Sequence, residues 1–310
     1  MYQYNLIILH KPRSQGIGDF LAVQNIMVGR APDIEVHIVS PLSPPEPDFW
    51  RKAAARPALI FSPAEIRIDP RVRGTRLVSR SLGKLEETER IRKAGLPFPE
   101  TQPITRETKL DEAQWGPFTV VKPNNGFRGR GIRLVRTRDV RWTDASALPK
   151  TDPRHGQQLV AQRYVDPGPF ATSYRVMTVL GRPMYCMTSR ATEKRPPLAV
   201  SSGEAIDLAV AANGMARRLA LANDSEVVEL ATSLHKKEPD IPVMGVDVIR
   251  EHGTGRLFLL EFNSRGRTWH LSSEHGQGHQ RDFRLDYYGQ FNALDSITNA
   301  LIEATRKRAT

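Results

Sequence analysis

Three polar residues interrupt two otherwise apolar runs near the C-terminus: Asp247 in Met244-Gly245-Val246-Asp247-Val248-Ile249, and Glu261 and Asn263 in Leu257-Phe258-Leu259-Leu260-Glu261-Phe262-Asn263. Side chains two apart on a strand share a face, so Glu261 and Asn263 point the same way. If the turn at 252–256 closes a hairpin with Glu251 facing Leu257, Asp247 falls opposite Glu261 and three oxygen donors converge. Val246, Val248, Phe258, Leu260 and Phe262 then take the other face. Two carboxylates buried together are costly unless a cation compensates them. Hard oxygen donors that leave positions open for phosphate and water suit Mg²⁺ best.

A second constellation could receive the phosphate. In Val120-Val121-Lys122-Pro123-Asn124-Asn125-Gly126-Phe127-Arg128-Gly129-Arg130-Gly131-Ile132 a strand delivers a lysine, a glycine-rich loop turns, and a strand returns. Glycines let backbone N–H groups approach phosphate oxygens, and Lys122 adds a point charge. The glycines alone read equally as a flexible turn. The pattern is neither a Walker A loop nor the kinase glycine loop. Leu159 to Asp166 reads as a strand with a polar-aromatic edge, which presents backbone to a purine ring and Asp166 to ribose hydroxyls, or is simply a strand with a polar end. Arg175 and Arg190 end the two strands of a hairpin whose tip is Gly181-Arg182. At one open end they would clamp a transferring phosphate or an acyl carboxylate, unless they are solvated surface arginines.

The elements that must position these groups follow from periodicity and punctuation. Strands at 2–10, 34–39 and 57–61, with helices from Asp19 and over 49–55, predict a small doubly wound α/β domain. No Gly-x-Gly-x-x-Gly follows its first strand, which argues against a dinucleotide site. Ser81 to Ala94 reads as a helix capped by Ser81, and 98–116 as an irregular surface wrap. Strands follow at 118–122, 131–136 and 158–165, the 174–190 hairpin, helices at 204–221 and 224–237, and the metal hairpin. The second of those helices is capped by Asp224, with Val227, Leu230 and Leu234 inward. Residues 264–288 read as polar and irregular, and 289–307 as a final helix with Phe291, Leu294, Ile297 and Leu301 on one stripe.

At 310 residues the chain has room for two or three compact units, and 39% hydrophobic with 25% charged residues is ordinary for a soluble enzyme. A net charge of +11 either draws an anionic partner or reflects arginine-rich usage. No basic block with interleaved aromatics appears, which argues against direct nucleic-acid binding. The first residues lack the form of a signal peptide, and no apolar run reaches the roughly 20 residues a membrane span needs. Cys186 alone allows no internal disulfide; it reads as a small buried hydrophobe in a cytoplasmic protein.

In this order the pieces resemble the ATP-grasp superfamily of carboxylate–amine ligases, the kind that includes ribosomal-protein glutamate ligase and glutathione synthetase. The resemblance runs from about Leu82 to Thr268. It rests on Gly83-Lys84, Lys122-Pro123 with its loop, Gln162-Arg163-Tyr164-Val165, Arg175, Arg190, Gly245-Val246-Asp247 and Glu261-Phe262-Asn263-Ser264. It implies an α/β (α+β) ATP-grasp fold: a small Rossmann-like domain over 1–79, a small lobe over 80–163 and a large lobe over 164–310. It further implies that Lys84 and Lys122 hold the α- and β-phosphates. The loop carrying Asn125, Gly126, Arg128, Gly129 and Gly131 would close over ATP, Gln162, Arg163, Tyr164 and Val165 would form the adenine hinge, and Asp166 would meet the ribose. Asp247, Glu261 and Asn263 would hold one or two Mg²⁺ ions (or Mn²⁺), and Arg175 and Arg190 would steady the γ-phosphate and acyl-phosphate. The implied partners are carboxylate and amine substrates, small or peptidic, with no membrane and with a homodimer allowed.

Three departures touch the substrate side: Ser173 stands where relatives carry Asp, Thr192 to Pro197 replaces an asparagine-rich segment, and Ser264-Arg265-Gly266-Arg267 replaces Ser-Pro-Gly. Arg265 or Arg267 is expected to meet an anionic substrate group. His270, His275 and His279 share a short segment with Glu274, which reads as a substrate loop, a plain polar loop or, least fittingly, a zinc site. His10-Lys11 ends the first strand, where open sheets present ligands. The competing functions are an ATP-grasp kinase acting on a hydroxyl, a non-catalytic nucleotide-binding module, and a nucleic-acid binder.

Overall fold

The computed structural model describes residues 2–40, 48–68, 73–126, 129–195, 198, 216–264 and 268–310. Arg128, Arg265 and Arg267 lie outside these residues, as do 204–215 of the helix expected at 204–221.

Among the described residues three sheets carry the fold. The first is parallel, in the order β2-β1-β3-β4, from β1 (Tyr4–Leu9), β2 (Ile34–Val39), β3 (Ala58–Ser62) and β4 (Thr75–Val78). Between these strands run α1 (Ile17–Arg30) and α2 (Phe49–Ala53). The edge strand β4 escapes sequence reading because only Leu77 in it is buried. After α3 (Lys84–Lys93) comes an antiparallel sheet, β5-β8-β6-β7, from β5 (Thr101–Pro103), β6 (Phe118–Pro123), β7 (Arg133–Arg136) and β8 (Leu159–Arg163), with α4 (Glu112–Trp115) before β6. Thus 98–116 is partly regular. Helix α3 starts at Lys84 rather than Ser81, whose hydroxyl instead donates to Glu65 Oε2 at 3.0 Å.

The third sheet holds the metal hairpin. Its order is β11-β10-β9-β12-β13, from β9 (Thr172–Val179), β10 (Arg182–Ala191), β11 (Arg217–Leu221), β12 (Val243–Arg250) and β13 (Leu257–Asn263). Arg217–Leu221 is therefore a strand and not the end of a helix. It pairs antiparallel with Met187–Ala191, and that pairing overrides the helical propensity of its Arg, Leu and Ala. Helix α5 (Ser225–Lys237) is N-capped by Asp224, which accepts from Val227 N, and buries Val227, Ala231 and Leu234. Two helices close the chain, α6 (Glu274–Phe283) and α7 (Ala293–Arg308). Helix α6 replaces part of the irregular stretch expected at 264–288; Ser273 caps it by accepting from Gly276 N.

The core is divided between the two faces of the third sheet. Val176, Cys186, Val246, Val248, Leu259 and Phe262 pack under α3 and α5, and burial there pushes the Cys186 thiol up to about 12. The opposite face carries Met177, Tyr185, Met187 and Leu219, which join Leu6, Ile8, Phe20, Trp269, Tyr287 and Leu301 in one cluster with the first sheet, α1 and α7. The expected apolar set of β13 is redistributed by a bulge. Val248 pairs with Leu259 but Asp247 with Glu261, so Leu260 is the extra residue. Leu259 therefore joins Phe262 on the covered side, while Phe258 and Leu260 pack with Val165 and Ile249.

Candidate active site

The same bulge aligns the acids. The turn pairs Arg250, not Glu251, with Leu257, a register that would put Asp247 opposite Leu260; the extra residue restores Glu261 to that place. Arg175 faces Asp247 from the other neighbour, β9. Directly paired residues share a face, so Arg175, Asp247 and Glu261 form one row across three strands. Arg175 grips Asp247 with two hydrogen bonds, Nε to Oδ1 at 2.7 Å and a terminal nitrogen to Oδ2 at 2.6 Å. Asn263 Nδ2 lies 3.3 Å from Asp247 Oδ2 and 3.5 Å from Glu261 Oε1, so all three predicted ligands meet. Burial raises the Asp247 carboxyl against the pull of Arg175.

Helix α3 brings a lysine to this row. Asn124, just past β6, accepts from Lys84 N through its backbone carbonyl (2.9 Å) and from Leu85 N through Oδ1 (3.0 Å), which fixes the helix start. Lys84 Nζ then reaches Glu261 Oε2 at 2.6 Å and Glu87 Oε2 at 3.5 Å. Burial pushes Glu261 upward, but the charges of Lys84 and Lys122 prevail and hold it near about 2. Glu87 goes the other way: burial outweighs Lys84 and lifts it to about 8. Lys122 is buried, is brought down to about 8 by desolvation, and donates to Gln162 Oε1 at 3.0 Å. Two acids and two lysines therefore meet where the second sheet abuts the third.

The remaining expected residues divide. Gly129 and Gly131 adopt φ of +71° and +74°, conformations that favour glycine, in the loop with exposed Asn125 and half-buried Gly126. Gln162 is buried and bridges to Thr101 Oγ1 at 3.1 Å; Val165 is buried beside Leu260; Arg163 pairs with Glu251 at 3.3 Å. Tyr164 lies under the Arg195 guanidinium, 5.9 Å from its ring centroid. Asp166 accepts from Gly168 N at 2.8 Å and from Arg195, so its carboxylate already closes a loop. Arg190 is not brought to Arg175. It pairs with Thr172, three registers from the Arg175–Met187 pair, which puts it on the opposite face, stacked 5.0 Å from the Phe170 ring centroid. An odd offset along a strand reverses the face, and hairpin-end reasoning overlooked that parity. His10 is buried between Ser40 Oγ and the Gln15 carbonyl, and Lys11 donates to the Glu65 carbonyl.

Sequence reasoning singled out the histidines beside this row but missed Tyr185, on the same face, and Tyr287, packed against it. Tyr185 stacks on Tyr287 at 4.0 Å and bonds His270 Nδ1 at 2.6 Å. His275 and His279 follow on α6, with ring centroids 4.2 Å apart. Desolvation pushes His270 well below its ordinary range and His279 down to about 4, so both are neutral imidazoles. Among the described residues no group of three or more His, Cys, Asp or Glu has metal-holding geometry. Asp19 of α1 pins the segment that leads into α6: it accepts from Trp269 Nε1 at 2.6 Å, from Ser272 Oγ, and from the Tyr288 hydroxyl at 2.7 Å.

No protein-family model matches the sequence, and no curated protein matches it. Solved structures do resemble the fold. An ATP-grasp ligase PsnB bound to a minimal precursor is 15% identical with a TM-score of 0.51, over 99% of this chain and 99% of that one. PsnB with a phosphomimetic variant of that precursor, Mg and ADP is 15% identical with a TM-score of 0.52, over 98% and 100%. The D-alanine–D-alanine ligase from Bacillus anthracis reaches a TM-score of 0.48 at 14% identity over 99% of both chains. The PsnB likeness gives this chain the ATP-grasp fold, in which its small parallel sheet precedes the two later sheets.

Proposed function

We propose that the protein is an ATP- and Mg²⁺-dependent ligase that joins a carboxylate to an amine and releases ADP and phosphate. The observation that carries this is the Arg175–Asp247–Glu261 row with Lys84 against it, set in this fold. The donor set fits a hard divalent cation: two carboxylates and an amide whose oxygen is presented by a half-turn about its last torsion. Asp247, Glu261 and Asn263 would hold Mg²⁺, which when bound screens phosphate charge. Lys84 and Lys122 are the cations for the polyphosphate. Gln162 to Val165 would form the edge for the base, with the glycine-rich loop after β6 closing over the nucleotide.

A carboxylate is a poor electrophile, because direct displacement by an amine would expel oxide. Its oxygen instead attacks the γ-phosphorus, the bond to the β–γ bridging oxygen breaks, and ADP departs, leaving an acyl-phosphate. The amine nitrogen attacks the acyl carbon, the C–O bond to phosphate breaks with its electron pair, and the nitrogen gives up its proton to the departing phosphate or solvent. Arg175 is held in plane by Asp247 and keeps its other N–H groups for an oxygen that gains charge; such donors are worth about 3 kcal/mol each. The division into 1–79, 80–163 and 164–310 belongs to this reading. So does a cytoplasmic location, where ATP is available; among the described residues no helix is long and apolar enough to cross a membrane.

The test is a screen of acids with ATP, Mg²⁺ and hydroxylamine, reading ADP and hydroxamate. The expected result is hydroxamate from a subset of acids, lost at least a hundredfold in Glu261→Ala with an unchanged circular dichroism spectrum. Wild-type ATP consumption by that variant discards the assignment. A phosphate ester in place of hydroxamate turns the reading to a kinase.

A further inference from the structure

Beside the row of acids, the same face of the third sheet has a second set of polar groups. Ser189 is two residues along β10 from Met187, the residue opposite Arg175, so it shares that face; its pair on β11 is Leu219, and Arg217 follows two residues on, opposite Ala191. Arg217 therefore stands on the same side as Arg175, whereas Arg190 and its pair Arg218 do not. Helix α6 lies over β11, and its buried His279 comes within electrostatic reach of Arg217 and Arg175. Two of the set's polar atoms lack partners: Ser189 Oγ and His279 Nδ1 are buried without a hydrogen bond, and His279 is only 8% exposed. Buried polar atoms are nearly always satisfied, so a pair of orphans beside a cation marks a place for a polar ligand. The charges around it favour an anion. Arg217 is half-buried, within electrostatic reach of Arg175 and Tyr287, and Asp282, the acid that acts on His279, sits at the exposed rim beside Arg281.

Scale separates this place from the reacting centre. Ser189 is two strands and two residues from Asp247; at about 4.8 Å per strand and 3.4 Å per residue the Cα atoms are about 12 Å apart. A carboxyl reacting at the Asp247–Glu261 row does not itself fill the set. The geometry points to a subsite, formed by Arg217, Ser189 and His279, that binds a second carboxylate on one of the two substrates. The inference rests on the ligase reading for the identity of the reacting centre, but not for the existence of the subsite.

Binding is therefore read apart from turnover. Matched probes differ by one carboxylate: glutarate against butyrate for the acid, and β-alanine against ethylamine for the amine. Each is titrated by calorimetry into protein holding Mg²⁺ and ADP. One pair is expected to show at least tenfold tighter binding for the added carboxylate; Arg217→Ala removes that preference, and Arg217→Lys restores part of it. Mg²⁺–ADP affinity stays unchanged in both variants, which shows that the fold and nucleotide side are intact. The pair that responds identifies the substrate. Equal binding within both pairs, or a preference that survives in Arg217→Ala, overturns the subsite. Failure of every acid to release ADP, with the preference intact, would instead sink the ligase reading and leave the subsite standing.

Discussion

Glu87→Gln offers the sharpest test of the electrostatics around Lys84. The carboxyl lies 3.5 Å from Lys84 Nζ, yet burial, aided by Glu261, lifts it from an ordinary 4.5 to about 8. A raised carboxyl pKa means that the folded state keeps a proton the unfolded chain has released. The resulting loss of stability begins above about pH 4.5, grows as pH rises, and stops near pH 8. Glutamine imitates the protonated form and carries no such loss. Each unit is worth about 1.36 kcal/mol, so the variant should gain on the wild type by about 3 kcal/mol between pH 5 and 7.5. The assay is urea unfolding of both proteins at half-unit pH steps, with chelator present and nucleotide absent. Parallel stability curves would refute the reasoning, for they would mean that Glu87 is ionised and Lys84 shares its charge between two carboxylates. The functional corollary is that a neutral Glu87 leaves Lys84 committed to Glu261 and to an incoming phosphate.

Other outcomes follow from the same geometry. Arg175→Ala strips Asp247 of its buried partner and should cost about 3–5 kcal/mol and all turnover, whereas Arg190→Ala, on the far face, should cost under about 1 kcal/mol by thermal melting and leave turnover intact. A Cβ on Gly276 would lie 1.8 Å from the His270 carbonyl oxygen, so Gly276→Ala should destabilise the fold by several kcal/mol; Gly278→Ala, whose nearest contact is the Arg281 tip at 3.9 Å, should gain about 0.5–1 kcal/mol from helix propensity. His235 is buried between Thr178 Oγ1 and the Ile241 carbonyl, and desolvation brings it down to about 4. The unfolded state takes up the proton first, so this contribution is full above about pH 6.5 and falls by about 3 kcal/mol as pH drops to 4; a His235→Gln variant should show a flatter acid limb.

How much was legible depended on whether local pattern or tertiary pairing decided the outcome. The lone polar residues of two apolar runs located the Asp247–Glu261 pair, although the turn assumed for it was wrong and a bulge at Leu260 supplied the compensating residue. Nothing in Leu257 to Leu260 announces that bulge, because each of these apolar positions is compatible with either face. Asp224 capped its helix as its position indicates, since capping is local. Helix α6 was hidden because its glycines and histidines are poor helix formers, and packing against β11 rather than propensity holds it. Arg217 could not be found without β11, a strand set by its pairing with β10 rather than by any pattern in its own five residues. Face parity of Arg190 was readable in principle, by counting from Arg175 through the turn, but an irregularity between Pro183 and Tyr185 upsets that count.

The three contacts of Asp19 have an engineering consequence. A residue from the first helix of the chain is fastened to a tryptophan, a serine and a tyrosine about 250 positions later, immediately ahead of the histidine-bearing helix and beyond it. A grafted N-terminal module, however well it folds, would arrive without the matching acceptor and leave an indole and two hydroxyls stranded. Swaps between homologous proteins should therefore exchange Asp19 together with Trp269, Ser272 and Tyr288 as a single heritable unit.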